Sequence, residues 1–305
     1  MQDIHLCRYE NEADYWRIRA FLRDVMIAND LRQWSWHVAR LDYWRWHVMD
    51  NSDAIADMAF MWQTSDNEIA AVLVAEEMGQ VYFQVHPAHR NAALEAQMLD
   101  TAEAHLLEDN QLVVYAHSED TARSEMLQSR GYVRGEWAEY QWRRDLDAPI
   151  PSVSAASGYT VRSMGDTHEN PARSWCSWRA FHPDEPDSAY DGHEWFALNF
   201  QRQPLYRRDL DLIAVPDGDP FEVAAFTTIW YDDVTRTGYF EPVGTAPEHQ
   251  RRGLARALLT EGLGRVQRLG GKRAFVGGYS VAANALYRSV FSGNHDIAVP
   301  WIKTG

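Results

Sequence analysis

An internal repeat constrains the fold of this chain more than any other feature of its sequence. Pro87 and Pro247 occupy equivalent positions at an offset of 160 residues, and the match continues to Leu99 and Leu259. This period is too long for a solenoid, whose repeats span 20–50 residues, so it indicates the duplication of a whole domain.

The order of predicted elements repeats as well. Each half contains three runs rich in β-branched and aromatic residues, separated by turn residues, which predict an antiparallel meander. The runs are Ala59–Gln63, Ile69–Glu76 and Val81–Val85 in the first half, and Leu210–Val215, Glu222–Tyr231 and Tyr239–Thr245 in the second. A proline-containing turn and an apolar pattern of helical spacing follow in each half. The sequence therefore predicts an α/β fold.

The boundary between the two copies is predicted from composition. The segment from Asp145 to Gly158 is rich in Pro, Ser, Ala and Gly, which is typical of a linker. We therefore expect a first domain over 1–147, a linker over 148–157 and a second domain over 158–305.

Charge and cysteine content exclude several classes of function. The chain of 305 residues has 44 acidic and 29 basic residues, a net charge of −15 that repels nucleic acid and attracts cations. Its two cysteines form neither a disulfide framework nor a cysteine zinc site, and a reducing cytoplasm is the expected location. The sequence contains no run of about 18 apolar residues, so it predicts no membrane span. We expect no nucleic-acid partner and no membrane association.

The strongest local signal is the run Gln250-Arg-Arg-Gly253-Leu-Ala255, which lies between a predicted strand and a predicted helix. Backbone N–H groups converge at the start of a helix, where the helix dipole also favours an anion. Small residues let a phosphate approach the backbone closely. The run indicates a pyrophosphate cradle, and a helix start without a ligand is the alternative. It matches neither a P-loop nor a Rossmann fingerprint.

This run resembles motif A of the GNAT superfamily, the acetyl-CoA-dependent N-acetyltransferases. The order of flanking elements and the downstream Asn284-Ala-Leu-Tyr287 are similar to that family, although Phe291-Ser292 replaces its usual Gly-Phe. The resemblance implies two tandem GNAT-like domains, each a mixed, largely antiparallel sheet flanked by helices. It also implies acetyl-CoA as co-substrate, no metal, and a small-molecule or peptide amine as acceptor.

The resemblance assigns roles to particular positions. Tyr287 would act as general acid toward the leaving thiolate, and Asn284 would contact the CoA arm. The backbone of the preceding strand would hold the pantetheine and the acetyl carbonyl, and the amides of the turn would bind the pyrophosphate. These backbone positions are Val243, Gly244, Thr245, Gln250, Arg251, Arg252, Gly253, Leu254 and Ala255.

The general base is less well defined by the sequence. Glu241 lies two residues before Val243, so both side chains point to the same face of the strand. A catalytic base and a solvated carboxylate are both compatible with that position. The competing candidates are His182, His193, Glu194 and Asp232.

The first copy lacks these features. Ala93 and Glu95 stand where the loop needs small residues, and a carboxylate at 95 would repel a pyrophosphate. Ser124 and Leu127 replace the Asn and Tyr. We therefore expect the first domain to keep the fold and shape the substrate cleft without binding CoA productively, while Arg90 leaves weak anion binding open.

Two further patterns have mainly structural interpretations. His86 and His89 are three residues apart but lack a third ligand, so we expect no metal site there. The tryptophans at 34, 36, 44 and 46 favour core packing, with a wall of the acceptor pocket as the alternative.

The predicted activity is transfer of an acetyl group to a primary amine by direct attack in a ternary complex, because neither cysteine lies in a motif for a nucleophile. The alternative is a CoA-binding sensor or scaffold without turnover.

Overall fold

The computed structural model describes residues 3–48, 52–151, 153, 156–192 and 195–305. These form two compact units. Unit 1 comprises Met1–Gln141 with His295–Gly305, and unit 2 comprises Trp142–Asn294.

Unit 1 is a sheet with helices on its faces. Its elements are β1 (Ile4–Arg8), α1 (Glu12–Ala28), α2 (Val38–Tyr43), a π-helix (Trp44–Val48), α3 (Ser52–Met58), β2 (Ala59–Thr64), β3 (Ile69–Glu77), β4 (Gln80–Val85), α4 (Ala92–His105), β5 (Gln111–His117), α5 (Thr121–Ser129) and β6 (Val133–Arg134). Strands β1 to β4 pair antiparallel in sequence order, and β4 then pairs in parallel with β5. The parallel pair requires a crossover, which α4 supplies.

Unit 2 repeats this order. After β7 (Glu139–Asp145), which crosses the unit boundary, come β8 (Tyr159–Ser163), α6 (Asn170–Phe181), α7 (Trp195–Asn199), β9 (Asp211–Pro216), β10 (Ala225–Asp232), β11 (Thr237–Thr245), α8 (Leu254–Arg268), β12 (Arg273–Gly278) and α9 (Val281–Val290). Strands β8 to β11 pair antiparallel, and β11 pairs in parallel with β12. The predicted mixed, largely antiparallel sheet flanked by helices is confirmed.

The last strand, β13 (Asn294–Thr304), explains why unit 1 includes His295–Gly305. It pairs antiparallel with β5, with Ala298 opposite His117 and Thr304 opposite Gln111. His295–Gly305 therefore packs with unit 1. The domain boundaries expected from the sequence repeat instead place these residues in the second domain, 158–305.

Helix α8 shows how the sequence pattern becomes packing. The apolar positions of the helical pattern are buried in α8, except for Leu269 just after the helix, which is exposed. The buried positions are Leu254, Ala257, Leu258, Leu263 and Val266. Gly262 allows close contact with the sheet, because a Cβ there would lie 2.5 Å from Ile229 and 2.6 Å from Phe240. The packing of α8 onto β10 and β11 fixes the position of its N-terminus, where the candidate site lies.

Candidate active site

The turn between β11 and α8 has the backbone expected of an anion cradle. A short 3-10 turn spans Pro247–His249, and Arg251 and Gly253 then adopt left-handed φ values of +61° and +77°. A Cβ added at Gly253 would meet no atom within 4 Å. The backbone at Gly253 therefore borders open space that a ligand can enter.

The N-terminus of α8 is uncapped. No side chain accepts a hydrogen bond from its first turn, whereas Ser280 caps α9 and Asn91 caps α4. Within the described residues, no hydrogen bond uses the backbone N–H groups from Arg251 to Ala255. Five unpaired N–H groups and a positive dipole end are features of an anion-binding helix start.

Two positive side chains flank this helix start. Arg251 and Arg252 are exposed and form no ion pair in the described part of the chain, although Arg252 lies 5.8 Å from the ring centre of Tyr159. The nearby acids already have partners. Glu248 binds Arg179 at 2.9 Å, and Glu222 lies 2.8 Å from His249. The two arginines are therefore available to a phosphate.

One predicted amide is already engaged. The Gln250 N–H donates to the Pro247 carbonyl at 3.3 Å, and the Gln250 side chain donates to the Thr245 carbonyl at 3.3 Å. The available amides therefore begin at Arg251. Leu254 is buried, so it offers only its backbone, and Ala255 is half-buried.

Strand β11 leads into the turn with one edge open. Its described pairing with β12 ends at Tyr239, opposite Phe275. On the other side it pairs with β10 through Thr245, with a register shift between Thr227 and Ile229. This irregularity bends the strand. At Val243, Gly244 and Thr245 the described residues give β11 no pairing on the side that faces β12.

Side chains alternate along the open segment of β11. Glu241, Val243 and Thr245 are half-buried, while Pro242 and Gly244 between them are buried. The same-face prediction for Glu241 and Val243 is consistent with this alternation. On the opposite face, a Cβ at Gly244 would lie 2.3 Å from Phe226 and 3.0 Å from Ala180, so only glycine fits there.

Helix α9 brings Tyr287 next to this strand. Gly278 at the end of β12 allows the approach, because a Cβ there would meet the Tyr287 ring at 3.0 Å and Asn284 Oδ1 at 2.7 Å. Tyr287 is 7% exposed, and its hydroxyl has no hydrogen bond within the described residues. Burial raises the pKa of Tyr287 well above its usual value, and the charge of Glu241 raises it further. The charge of Glu241 therefore acts on the Tyr287 phenol.

Asn284 is held by a residue that the sequence did not indicate. Trp142 Nε1 donates to Asn284 Oδ1 at 2.8 Å, and the described residues give Asn284 Nδ2 no hydrogen-bond partner. Trp142 lies in β7, far away in sequence, and no local pattern predicts this contact. A second unforeseen group is the fully buried pair Arg173 and Asp211, joined through Thr228. Burial lowers the pKa of Arg173 and raises that of Asp211.

The other candidate bases lie elsewhere or are engaged. Asp232 is buried at the far end of β10, where it accepts two hydrogen bonds from Thr235. His182 is exposed and lies 2.9 Å from Glu185. His193 and Glu194 lie outside the described residues.

The half-exposed side of α6 is aromatic. Trp175 stacks on Trp178 at 5.4 Å, and Trp178 stacks on His182 at 5.7 Å. Tyr190 contacts both tryptophans. This aromatic surface belongs to the same helix whose Ala180 packs near Gly244 of β11.

In the corresponding loop of unit 1, the charged side chains pair with one another. Glu95, 4% exposed, accepts hydrogen bonds from Arg90 at 2.6 Å and from Arg123 at 3.0 Å. Asp120 accepts a second bond from Arg90 at 2.6 Å. Asn91 caps the helix start by accepting the Leu94 N–H at 3.0 Å. Both the arginines and the helix start therefore have partners within unit 1.

The described residues contain neither a metal-ligand cluster nor a helix that could span a membrane. No three His, Cys, Asp or Glu side chains there are grouped to hold a metal ion. No described helix has the length and apolar character required to cross a bilayer.

Comparisons with known proteins agree with this architecture. A model of the acetyltransferase (GNAT) family matches residues 172–291, which include α6, β11, the turn and α9. A tandem GNAT protein from the clavulanic acid biosynthesis pathway has 14% identity, covers 99% of this chain and 98% of its own, and gives a TM-score of 0.65. A GCN5-related N-acetyltransferase from Sphaerobacter thermophilus has 21% identity, with coverages of 99% and 95% and a TM-score of 0.64. A search of curated proteins found no match.

The whole chain has a fold similar to that of a tandem GNAT protein, and residues 172–291 match the acetyltransferase (GNAT) family. The family match lies in the second half of the chain, and the solved structures, at 21% and 14% identity, show similarity of fold.

Proposed function

We propose that the protein is an acetyl-CoA-dependent N-acetyltransferase that acylates a primary amine of a small molecule or peptide. The observation that carries this proposal is the uncapped start of α8, whose free N–H groups and two unpaired arginines lie directly after the open segment of β11. A diphosphate satisfies both the backbone donors and the positive charge.

The residues present fit the co-substrate. The amides from Arg251 to Ala255 would bind the pyrophosphate, and the open space over Gly253 admits it. The unpaired edge of β11 at Val243, Gly244 and Thr245 would bind the extended arm through backbone hydrogen bonds. Asn284 Nδ2 would contact the same arm.

Acetyl-CoA, when bound, supplies an activated thioester carbonyl. The amine nitrogen forms a bond to the acetyl carbon, the carbon–sulfur bond breaks, and the products are an amide and a thiol. Glu241 would accept the proton that the amine loses. Tyr287 would donate its proton to the departing sulfur, and its raised pKa keeps it protonated at neutral pH. Holding amine and thioester together supplies much of the rate.

Unit 1 has a structural role in this proposal. Glu95 occupies the arginines that a second pyrophosphate would need. The net charge of −15 favours a cationic amine over an anionic acceptor.

Incubation with labelled acetyl-CoA and a panel of amines tests the proposal. Label in the amide product, with no acyl group on either cysteine, is the expected result. Label trapped on Cys7 or Cys176 contradicts direct attack. CoA binding without any acetylated amine supports the alternative, a CoA-binding sensor or scaffold.

A further inference from the structure

A chain of hydrogen bonds in unit 2 reaches the turn before α8. The Tyr159 hydroxyl lies 2.9 Å from His249 Nδ1, and His249 Nε2 lies 2.8 Å from Glu222 Oε1. Tyr159 is the first residue of β8, His249 ends the 3-10 turn, and Glu222 lies in the loop between β9 and β10. Three segments that are distant in sequence therefore meet at one imidazole.

The chemistry of the partners fixes the protons along this chain while the imidazole is neutral. An ionised carboxylate only accepts, so His249 Nε2 carries the proton and donates it to Glu222. His249 Nδ1 is then an acceptor, and the Tyr159 hydroxyl donates to it. Because the same two rings also meet edge to face at 86°, the Tyr159 ring is held in one orientation.

This ring lies under one of the two arginines at the helix start. The Arg252 guanidinium carbon is 5.8 Å from the centre of the Tyr159 ring, within the roughly 6 Å of a cation–π contact. Arg251 has no such aromatic contact among the described residues. A cation–π contact orients a guanidinium without neutralising its charge, so Arg252 can still bind an anion.

Unit 1 has no arginine at the corresponding position. At the offset of 160 residues, Ala92 stands in the place of Arg252, and His89 stands in that of His249. The His89 ring lies 5.6 Å from the ring of His86. The arginine and the ring beneath it therefore occur in the unit whose helix start is uncapped.

We propose that Tyr159 is a positioning residue, which holds the Arg252 guanidinium toward a diphosphate at the start of α8 and is itself held by His249 and Glu222. This inference rests on the proposed function, because it concerns the same cradle. An exposed arginine loses side-chain freedom when it binds a phosphate, and a contact made beforehand reduces that loss. The ring thus increases the affinity for the diphosphate without touching it.

Calorimetric titration of CoA into the full-length protein tests whether Tyr159 acts through Arg252. Tyr159→Leu should weaken CoA binding about two- to fivefold, the range for one exposed cation–π contact. Arg252→Gln should weaken it about tenfold, because a charge-assisted contact to phosphate is lost. Tyr159→Leu added to Arg252→Gln should cause no further loss, since the group that it positions is gone.

Arg251→Gln is the matched control, because it removes the same charge from the adjacent arginine, which has no ring beneath it. Tyr159→Leu added to Arg251→Gln should cause the full loss, about two- to fivefold. Equal losses in the two arginine backgrounds would show that Tyr159 supports the turn in general, and would overturn the proposal.

Tyr159→Phe keeps the test decisive if Tyr159→Leu fails to fold. It retains the ring but loses the bond to His249, so it should weaken CoA binding by about twofold, and only when Arg252 is present. Unchanged affinity in the Tyr159 variants that fold overturns the proposal alone. Absence of CoA binding by the unmodified protein overturns the proposed function as well.

Discussion

At the scale of single residues, the proposed chemistry of unit 2 depends on Tyr287 and Glu241. The phenol is buried and close enough to Glu241 for the carboxylate to raise its pKa. The pair thus combines a group that holds its proton with one that can accept a proton. This division of roles is required when an amine attacks a thioester.

Tyr287→Phe should lower kcat by roughly 10²- to 10⁴-fold, the range for loss of a general acid. The dissociation constant for CoA should change by less than about twofold, because the phenol contributes to the reaction more than to binding. Steady-state kinetics and calorimetry measure the two quantities. Tyr231→Phe is the matched control, because its hydroxyl bonds the Leu269 carbonyl at the far end of β10. An unchanged kcat in Tyr287→Phe contradicts the assignment.

The pH dependence of kcat tests the direction of the Tyr287 shift. A pKa raised above the ordinary 10.0 keeps the phenol protonated into alkaline solution. The rate should rise as the amine and the base lose protons, and it should not fall between about pH 8 and about pH 10. A descending limb in that interval, absent from Tyr287→Phe, would show that the phenol ionises early.

At the scale of elements, the two equivalent strand–turn–helix segments differ in how their helix starts are capped and how their charges are paired. In unit 2 the start of α8 is uncapped and followed by small residues. In unit 1, Asn91 caps α4 and Glu95 binds two arginines. The helix start of unit 2 therefore has donors without partners among the described residues, whereas that of unit 1 is capped and its arginines are paired.

Gly253→Val should raise the dissociation constant for CoA at least about tenfold. Valine at φ +77° is strained, and its side chain would occupy the open space over the amides. Calorimetric titration measures the loss. Gly218→Val provides the control, since a Cβ there also meets open space but lies in a surface turn outside the site. Equal affinities in the two variants would exclude Gly253 from the cradle.

The ion pairs of Glu95 in unit 1 should make the free energy of unfolding depend on pH in acidic solution. Burial opposes ionisation of Glu95, but Arg123 and Arg90 keep its pKa below the ordinary 4.5. The unfolded chain therefore binds this proton more tightly, so the free energy of unfolding should fall as pH decreases below about 4.5. Urea unfolding of Glu95→Gln should show a weaker pH dependence than that of the exposed control Glu125→Gln. Identical pH dependence in both would contradict the network.

The elements could be predicted well from local patterns. The meander strands, α8 and the position of the turn follow from alternation, helical spacing and turn residues, and their bounds agree closely. Contacts distant in sequence could not be predicted. The bond from Trp142 to Asn284 and the buried Arg173–Asp211 pair depend on tertiary packing that no local spacing encodes.

At the scale of the whole molecule, the repeat predicted the tandem fold, because both copies keep the apolar pattern that packs a helix on a sheet. The pairing of β13 with β5 was not evident, since a strand pattern carries no information about its partner. The sequence predicted a difference between the two copies at Glu95, where a charged residue replaces a small one. It did not predict which arginines Glu95 binds.

The stoichiometry of CoA binding tests the central claim most directly. Calorimetric titration should give one CoA per chain, bound with unchanged affinity by Arg90→Gln and with strongly reduced affinity by Gly253→Val. Two equivalents per chain, or a single site lost in Arg90→Gln and retained in Gly253→Val, would contradict the assignment of the diphosphate to the turn before α8.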